Sequence, residues 1–221
     1  MTDSKLVEIV VVLDRSGSMQ DIKDDTIGGY NSFLEEQKRV KDSRCKVTLV
    51  QFDNEYLPVY GSVDVQEVEA LNADTYVPRA STALFDAIGR TINETGARLA
   101  AMSDHERPGK VIFVIITDGY ENSSREFTSN RVKSMIAEQE TRYSWSFVFL
   151  GADQDSFQAD GLGLGGGKFL SYGRGRSRDT FAAMGQTMSD YRGMSKSAQS
   201  ANQDSIGDLI SENLNKKEED S

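Results

Sequence analysis

Two unbroken apolar runs constrain this chain most: Ile9-Val10-Val11-Val12-Leu13 and Val111-Ile112-Phe113-Val114-Ile115-Ile116. A strand covered on one face alternates apolar and polar residues, whereas a continuous branched run marks a strand covered on both. Between and after these runs, apolar residues return at helical spacing. Residues 24–41 carry Ile27, Tyr30, Phe33, Leu34 and Val40 over a polar far face. Leu84, Ile88 and Ile92 continue towards Leu99, and Val132, Met135 and Ile136 mark the next helix. Phe147 to Leu150 reads as a strand, and Lys168 to Tyr172 as an edge strand after a glycine-rich loop. Phe181, Met184, Met188 and Tyr191 then mark a further helix. This alternation predicts an α/β fold, a doubly wound, mostly parallel sheet with helices on both faces. Lys46–Phe52 and Leu57–Val65 are joined by too few residues for a crossover helix. They are expected to form a hairpin, giving one antiparallel edge strand.

The 221 residues suit one domain, read here as 1–195, followed by a polar tail, 196–221. The tail is rich in Ser, Asn, Gln and charge. Ile206, Leu209, Ile210 and Leu214 share a helical face, but Gly207 and the short length make that helix marginal, so the reading favours a frayed tail. Residues 1–6 show no basic n-region or cleavage site, and the longest apolar run is six residues. The expectation is a soluble, cytoplasmic protein with no membrane partner. The triplets Asn93-Glu94-Thr95 and Asn122-Ser123-Ser124 then carry no glycosylation.

Charge and rare residues exclude several functions. The net charge of −10 repels phosphate backbones, and no basic stripe overrides it, so nucleic acid is not an expected partner. A single His105 leaves no second imidazole for a histidine zinc site, and it lies in a polar stretch before a strand, at the wrong end of the sheet to serve Ser16 as a base. A single Cys45 rules out an internal disulfide and reads as an inert buried thiol. Trp145 opens a strand and reads as core.

In open parallel sheets, ligands bind beyond the carboxyl ends of the strands. Three short oxygen-bearing segments are expected there: Asp14-Arg15-Ser16-Gly17-Ser18, Ser81-Thr82-Ala83-Leu84, and Thr117-Asp118-Gly119. Two carboxylates and three hydroxyls form a hard donor set, suited to Mg²⁺, Mn²⁺ or Ca²⁺ rather than Zn²⁺ or Cu²⁺. Neutral hydroxyls leave such an ion partly uncompensated, so a carboxylate from another molecule is the natural occupant of an open position. Competing motifs are weaker. Gly161-x-Gly163-x-x-Gly166 does not follow a strong first strand, and Lys168 is followed by Phe169 rather than Ser or Thr. An aspartyl-phosphate role for Asp14 generally needs a second acid where Ser16 stands. Asp21, Asp24, Asp25, Glu121 and Glu126 read mainly as solvated helix starts, with cation capture as the alternative. Arg15 and Arg79 are candidates for steering an acidic partner.

The Asp14-x-Ser16-x-Ser18 turn after a buried strand, followed by Thr82 and then Asp118 after another, resembles the metal-ion-dependent adhesion site (MIDAS) of von Willebrand factor A domains. The run Ser81 to Ile88 resembles that family's threonine-bearing helix start. The resemblance covers residues 6–152 closely and extends loosely to 195. It implies that Ser16, Ser18 and Thr82 are hydroxyl ligands, with Asp14 and Asp118 acting directly or through water. The implied ion is Mg²⁺ or Mn²⁺ ahead of Ca²⁺. The implied function is binding a protein partner that supplies an Asp or Glu, without catalysis. The expected soluble, tail-ended architecture looks more like stand-alone intracellular bacterial or phage members than cell-surface adhesins. Where the family usually has Gly-Gly before the threonine, this chain has Ala80-Ser81. The alternatives are a structural or assembly protein whose metal only stabilises loops, and a Mg²⁺-dependent hydrolase or phosphotransferase.

Overall fold

A computed structural model describes residues 2–152, 155–171 and 177–194, and in the tail residues 206, 208–210 and 212–213. The element order is β1 (Asp3–Asp14), α1 (Lys23–Arg39), β2 (Arg44–Phe52), β3 (Tyr56–Asp64), α2 (Leu84–Ala101), β4 (Pro108–Ile116), α3 (Ser129–Tyr143), β5 (Ser146–Gly151), α4 (Ser156–Gly161), β6 (Phe169–Ser171) and α5 (Ser177–Gly193). The six strands lie in the order β3-β2-β1-β4-β5-β6. All neighbours are parallel except β2 and β3, the antiparallel hairpin at one edge. The expected fold class is therefore the observed one.

The two most apolar runs are the two central strands, which explains their composition. Along β1, Val7, Ile9, Val11 and Leu13 face one layer, packed with Tyr30, Phe33 and Leu34 of α1 and Phe181, Met184 and Met188 of α5. Val10 and Val12 face the other layer, packed with Leu84, Ile88 and Ile92 of α2 and Val132, Met135 and Ile136 of α3. Trp145 and Cys45 are buried as expected, and burial pushes the Cys45 thiol up to about 12. His105 is exposed on the connection from α2 to β4, at the amino end of the sheet.

α4 forms between β5 and the glycine-rich loop, where the sequence pattern predicts no element. Tyr172, the expected end of the last strand, lies outside the described residues. Where the tail is described, Ile206 and Ile210 are buried with the α1–α5 layer, and Asn213 Nδ2 donates to Thr187 Oγ1 at 2.8 Å. Leu214 lies outside the described residues. Among the described residues no helix is long and apolar enough to cross a membrane.

Candidate metal centre

β1 and β4 are sheet neighbours, with Leu13 in register with Ile116, so their connections leave the carboxyl edge side by side. Asp14 ties them together. Its Oδ1 accepts the Ser16 N–H at 2.5 Å and its Oδ2 accepts the Thr117 hydroxyl at 2.6 Å, while its carbonyl accepts the Tyr76 hydroxyl at 2.6 Å. The chain then enters a short 3-10 turn, Gly17–Ile22, which sets Ser16 Oγ 3.1 Å from Ser18 Oγ.

Thr82 arrives from the segment before α2 and is fastened to the β4–α3 connection. Its N–H donates to Asn122 Oδ1 (2.9 Å), and its carbonyl accepts the N–H groups of Asn122 (3.0 Å) and Ser123 (3.2 Å). Two carboxylates extend this fastening. Glu121 accepts from the N–H groups of Phe85, Ser123 and Ser124, and Asp86 accepts from those of Arg125, Glu126 and Phe127. Gln158 of α4 closes the other side, donating to the Gly119 carbonyl (3.0 Å) and accepting the Glu121 N–H (2.7 Å).

The hydroxyls meet over Gly119. A Cβ at that position would lie 2.8 Å from Ser18 Oγ, 3.1 Å from Thr82 Oγ1 and 3.4 Å from Ser16 Oγ. The three segments predicted to face one point therefore do so, around a space that only the absence of a side chain leaves open. The Gly119 backbone is not in the left-handed region, so glycine is required here for space rather than for conformation.

Carboxyl groups crowd the floor of this edge. Burial pushes Asp14 up to about 6, against the hydrogen bonds from Thr117 and Ser16, and the Asp118 charge adds to the rise. Asp155 is also pushed up to about 6 by burial, again with contributions from Asp118 and Asp14. It accepts the Ala152 N–H at 2.8 Å and the Gln158 amide at 3.2 Å. Asp118 itself is half-buried. A cation placed over such a floor would relieve the repulsion among these groups.

The donor set fits a small hard cation. Among the described residues no three His, Cys, Asp or Glu side chains converge as a metal cluster, and the side-chain oxygens that meet over Gly119 are hydroxyls. Octahedral oxygens about 2.1 Å from Mg²⁺ stand about 3.0 Å apart on a shared edge. The Ser16–Ser18 separation of 3.1 Å matches that spacing without rearrangement.

Other sequence candidates take different roles. Glu121 is a clamp on the start of α2, and Glu126 pairs with Arg90. Asp24 and Asp25 lie in the first turn of α1, where carboxylates suit the helix dipole. Arg15 and Arg79 both pair with Asp53 and Glu55. Asn122, Asp86, Gln158 and Asp53 do not stand out in the sequence as site residues, and Thr117 does so only as part of Thr117-Asp118-Gly119. A local signal for Asn122 is the Asn122-Ser123-Ser124 run, whose residue types bond to nearby backbone in turns.

The family model of the von Willebrand factor type A domain matches residues 8–158, and the chain belongs to that family. No curated protein matches it in sequence. Solved structures of similar fold include the vWF domain of the type V pili tip protein Mfa5 from Porphyromonas gingivalis, at 12% identity and TM-score 0.61, covering 86% of this chain and 97% of that one. Manganese-loaded TRAP protein of Plasmodium vivax is similar at 14% identity and TM-score 0.54, covering 81% and 74%. Proximal thread matrix protein 1 from the mussel byssus, with a zinc-occupied MIDAS motif, is similar at 15% identity and TM-score 0.57, covering 85% and 48%. The chain thus spans about half the length of the mussel protein.

Proposed function

We propose that this chain is a divalent-cation-dependent protein-binding module and not a catalyst. The observation that carries the reading is the convergence of Ser16, Ser18 and Thr82 hydroxyls on the open space over Gly119. In this reading those three hydroxyls hold Mg²⁺ or Mn²⁺, and Asp14 and Asp118 support it directly or through water. The bound ion would supply an electrophilic position for the carboxylate of a partner's Asp or Glu.

The chain's own residues do the preparatory work. Asp14 orients the serine turn, and Asn122 and Glu121 hold Thr82 against the Asp118 connection, so the donors are arranged before any ligand arrives. Ser16 is a poor nucleophile candidate, because the lone imidazole, His105, sits at the opposite end of the sheet. A bacterial or phage setting and a cytoplasmic location belong to the same reading.

Calorimetric titration with MgCl₂, MnCl₂, CaCl₂ and ZnCl₂ tests it, zinc being included because the mussel protein's MIDAS holds it. Wild type is expected to bind Mg²⁺ or Mn²⁺ one-to-one, and Ser16→Ala/Ser18→Ala to lose that binding. Equal binding by the double variant, or none by wild type, would overturn the reading.

A further inference from the structure

We infer that Asp53 is a positioning residue for the hydroxyl cradle, setting the separation between the Ser16–Ser18 turn and Thr82. This rests on the cation-binding reading above. Asp53 follows β2, in the tight turn to β3, and is fully buried. Its Oδ2 accepts a hydrogen bond from Arg79 Nε at 2.8 Å and stands 3.1 Å from Arg15 Nε as an ion pair without hydrogen-bond geometry. Its Oδ1 accepts the Glu55 N–H at 2.6 Å, and its carbonyl accepts the Ala83 N–H at 2.9 Å.

These contacts reach both halves of the cradle. Arg15 lies between Asp14 and Ser16, and Arg79 lies three residues before Thr82. The backbones of the two halves also pair, with Arg79 N–H on the Arg15 carbonyl (2.7 Å) and Gly17 N–H on the Ala80 carbonyl (3.1 Å). Arg15 N–H further donates to the Phe52 carbonyl at 2.7 Å, which joins the first half to the end of β2. Ala80 sits in the left-handed region (φ 56°), so this pairing is held against a local backbone preference. One buried carboxylate therefore holds the side chains on either side of a strained backbone bridge, and the bridge fixes where Ser16 stands relative to Thr82. Glu55, largely exposed, takes the outer side of both guanidinium groups.

The test uses the full chain and MnCl₂ as probe, with Asp53→Asn, Arg79→Met and Ser16→Ala/Ser18→Ala beside wild type. Arg79 is half exposed, so Arg79→Met keeps the experiment informative even where the buried Asp53 change impairs folding. Three readouts are taken: the Mn²⁺ dissociation constant, the melting temperature without metal, and amide hydrogen exchange at Gly17 and Arg79. Positioning predicts at least tenfold weaker Mn²⁺ binding by Arg79→Met at near-wild-type melting temperature, with faster exchange at both amides. Arg79→Lys, which keeps a second positive charge beside Asp53 in addition to Arg15, is expected to recover part of the affinity. If wild type and Arg79→Met bind alike while the double serine variant does not bind, the assignment to Asp53 is overturned and the cation site stands. If wild type binds no metal, both fall.

Discussion

Ala80 adopts a backbone conformation that glycine enters freely and an L-residue enters at a cost of about 1–2 kcal/mol. Its carbonyl accepts the Gly17 N–H at 3.1 Å. Ala80→Gly is therefore expected to leave stability unchanged or raise it by up to about 1 kcal/mol. Ala97→Gly, on the exposed side of α2, is expected to lower it by about 1 kcal/mol. Urea denaturation of both variants measures the difference, and equal losses would contradict the strain at Ala80. Residue types at the site were legible because chemistry is carried by identity: Asp14, Ser16, Ser18, Thr82 and Asp118 are oxygen donors following strand ends or preceding a helix. The backbone handedness of Ala80 was not legible, since nothing in Ala80-Ser81 announces a positive φ. Nor was Asp53, which in sequence is an ordinary turn residue and becomes central only when two distant arginines fold onto it.

The elements that matter most are α2 and the connection from β4 to α3, because the hydrogen bonds between them hold Thr82 over Gly119. Asp86 accepts three backbone N–H groups, from Arg125 (2.9 Å), Glu126 (2.9 Å) and Phe127 (2.8 Å). Asp86→Ala leaves those amides without their acceptor and is expected to cost about 2 kcal/mol. Amide exchange at residues 125–127 should accelerate more than exchange within β4, and uniform acceleration would contradict a local clamp. The strands were readable from the sequence because burial on two faces demands unbroken apolar runs, as in β1 and β4. α4 was not, because a six-residue helix with one buried apolar residue, Ala159, offers no periodicity to read. Its importance comes from Gln158, whose amide binds both sides of Tyr120 at Gly119 and Glu121.

At the scale of the whole molecule, the buried carboxyls of Asp14 and Asp155 couple folding to pH in the same direction. Asp14 and Asp155 are each pushed up to about 6 by burial. A carboxyl raised in the folded state binds its proton more tightly there than in the unfolded chain. The stability it contributes is therefore complete below its ordinary value of 3.8 and is lost as pH rises through about 6. In EDTA the melting temperature is expected to fall by several degrees between about pH 4 and pH 6.5, and Asp155→Asn should reduce that fall. A flat profile in wild type would contradict the raised pKa of these two buried carboxyls. Further from the site, Ile210 is fully buried with the α1–α5 layer, so Ile210→Ala is expected to cost at least about 2 kcal/mol in urea denaturation. The polar composition of the tail hid that contact from the sequence, because a short run of four apolar residues interrupted by Gly207 makes only a marginal helix alone.

The central claim, that three hydroxyls frame a cation site over Gly119, is tested most directly by filling the space. Gly119→Ala needs no left-handed backbone, and its methyl group would stand within 3.4 Å of all three hydroxyl oxygens. Mn²⁺ titration by calorimetry, with melting temperatures measured beside it, should show saturable one-to-one binding by wild type. Gly119→Ala is expected to fold with a similar melting temperature and to lose that binding. Undiminished Mn²⁺ binding by a folded Gly119→Ala protein would contradict the account.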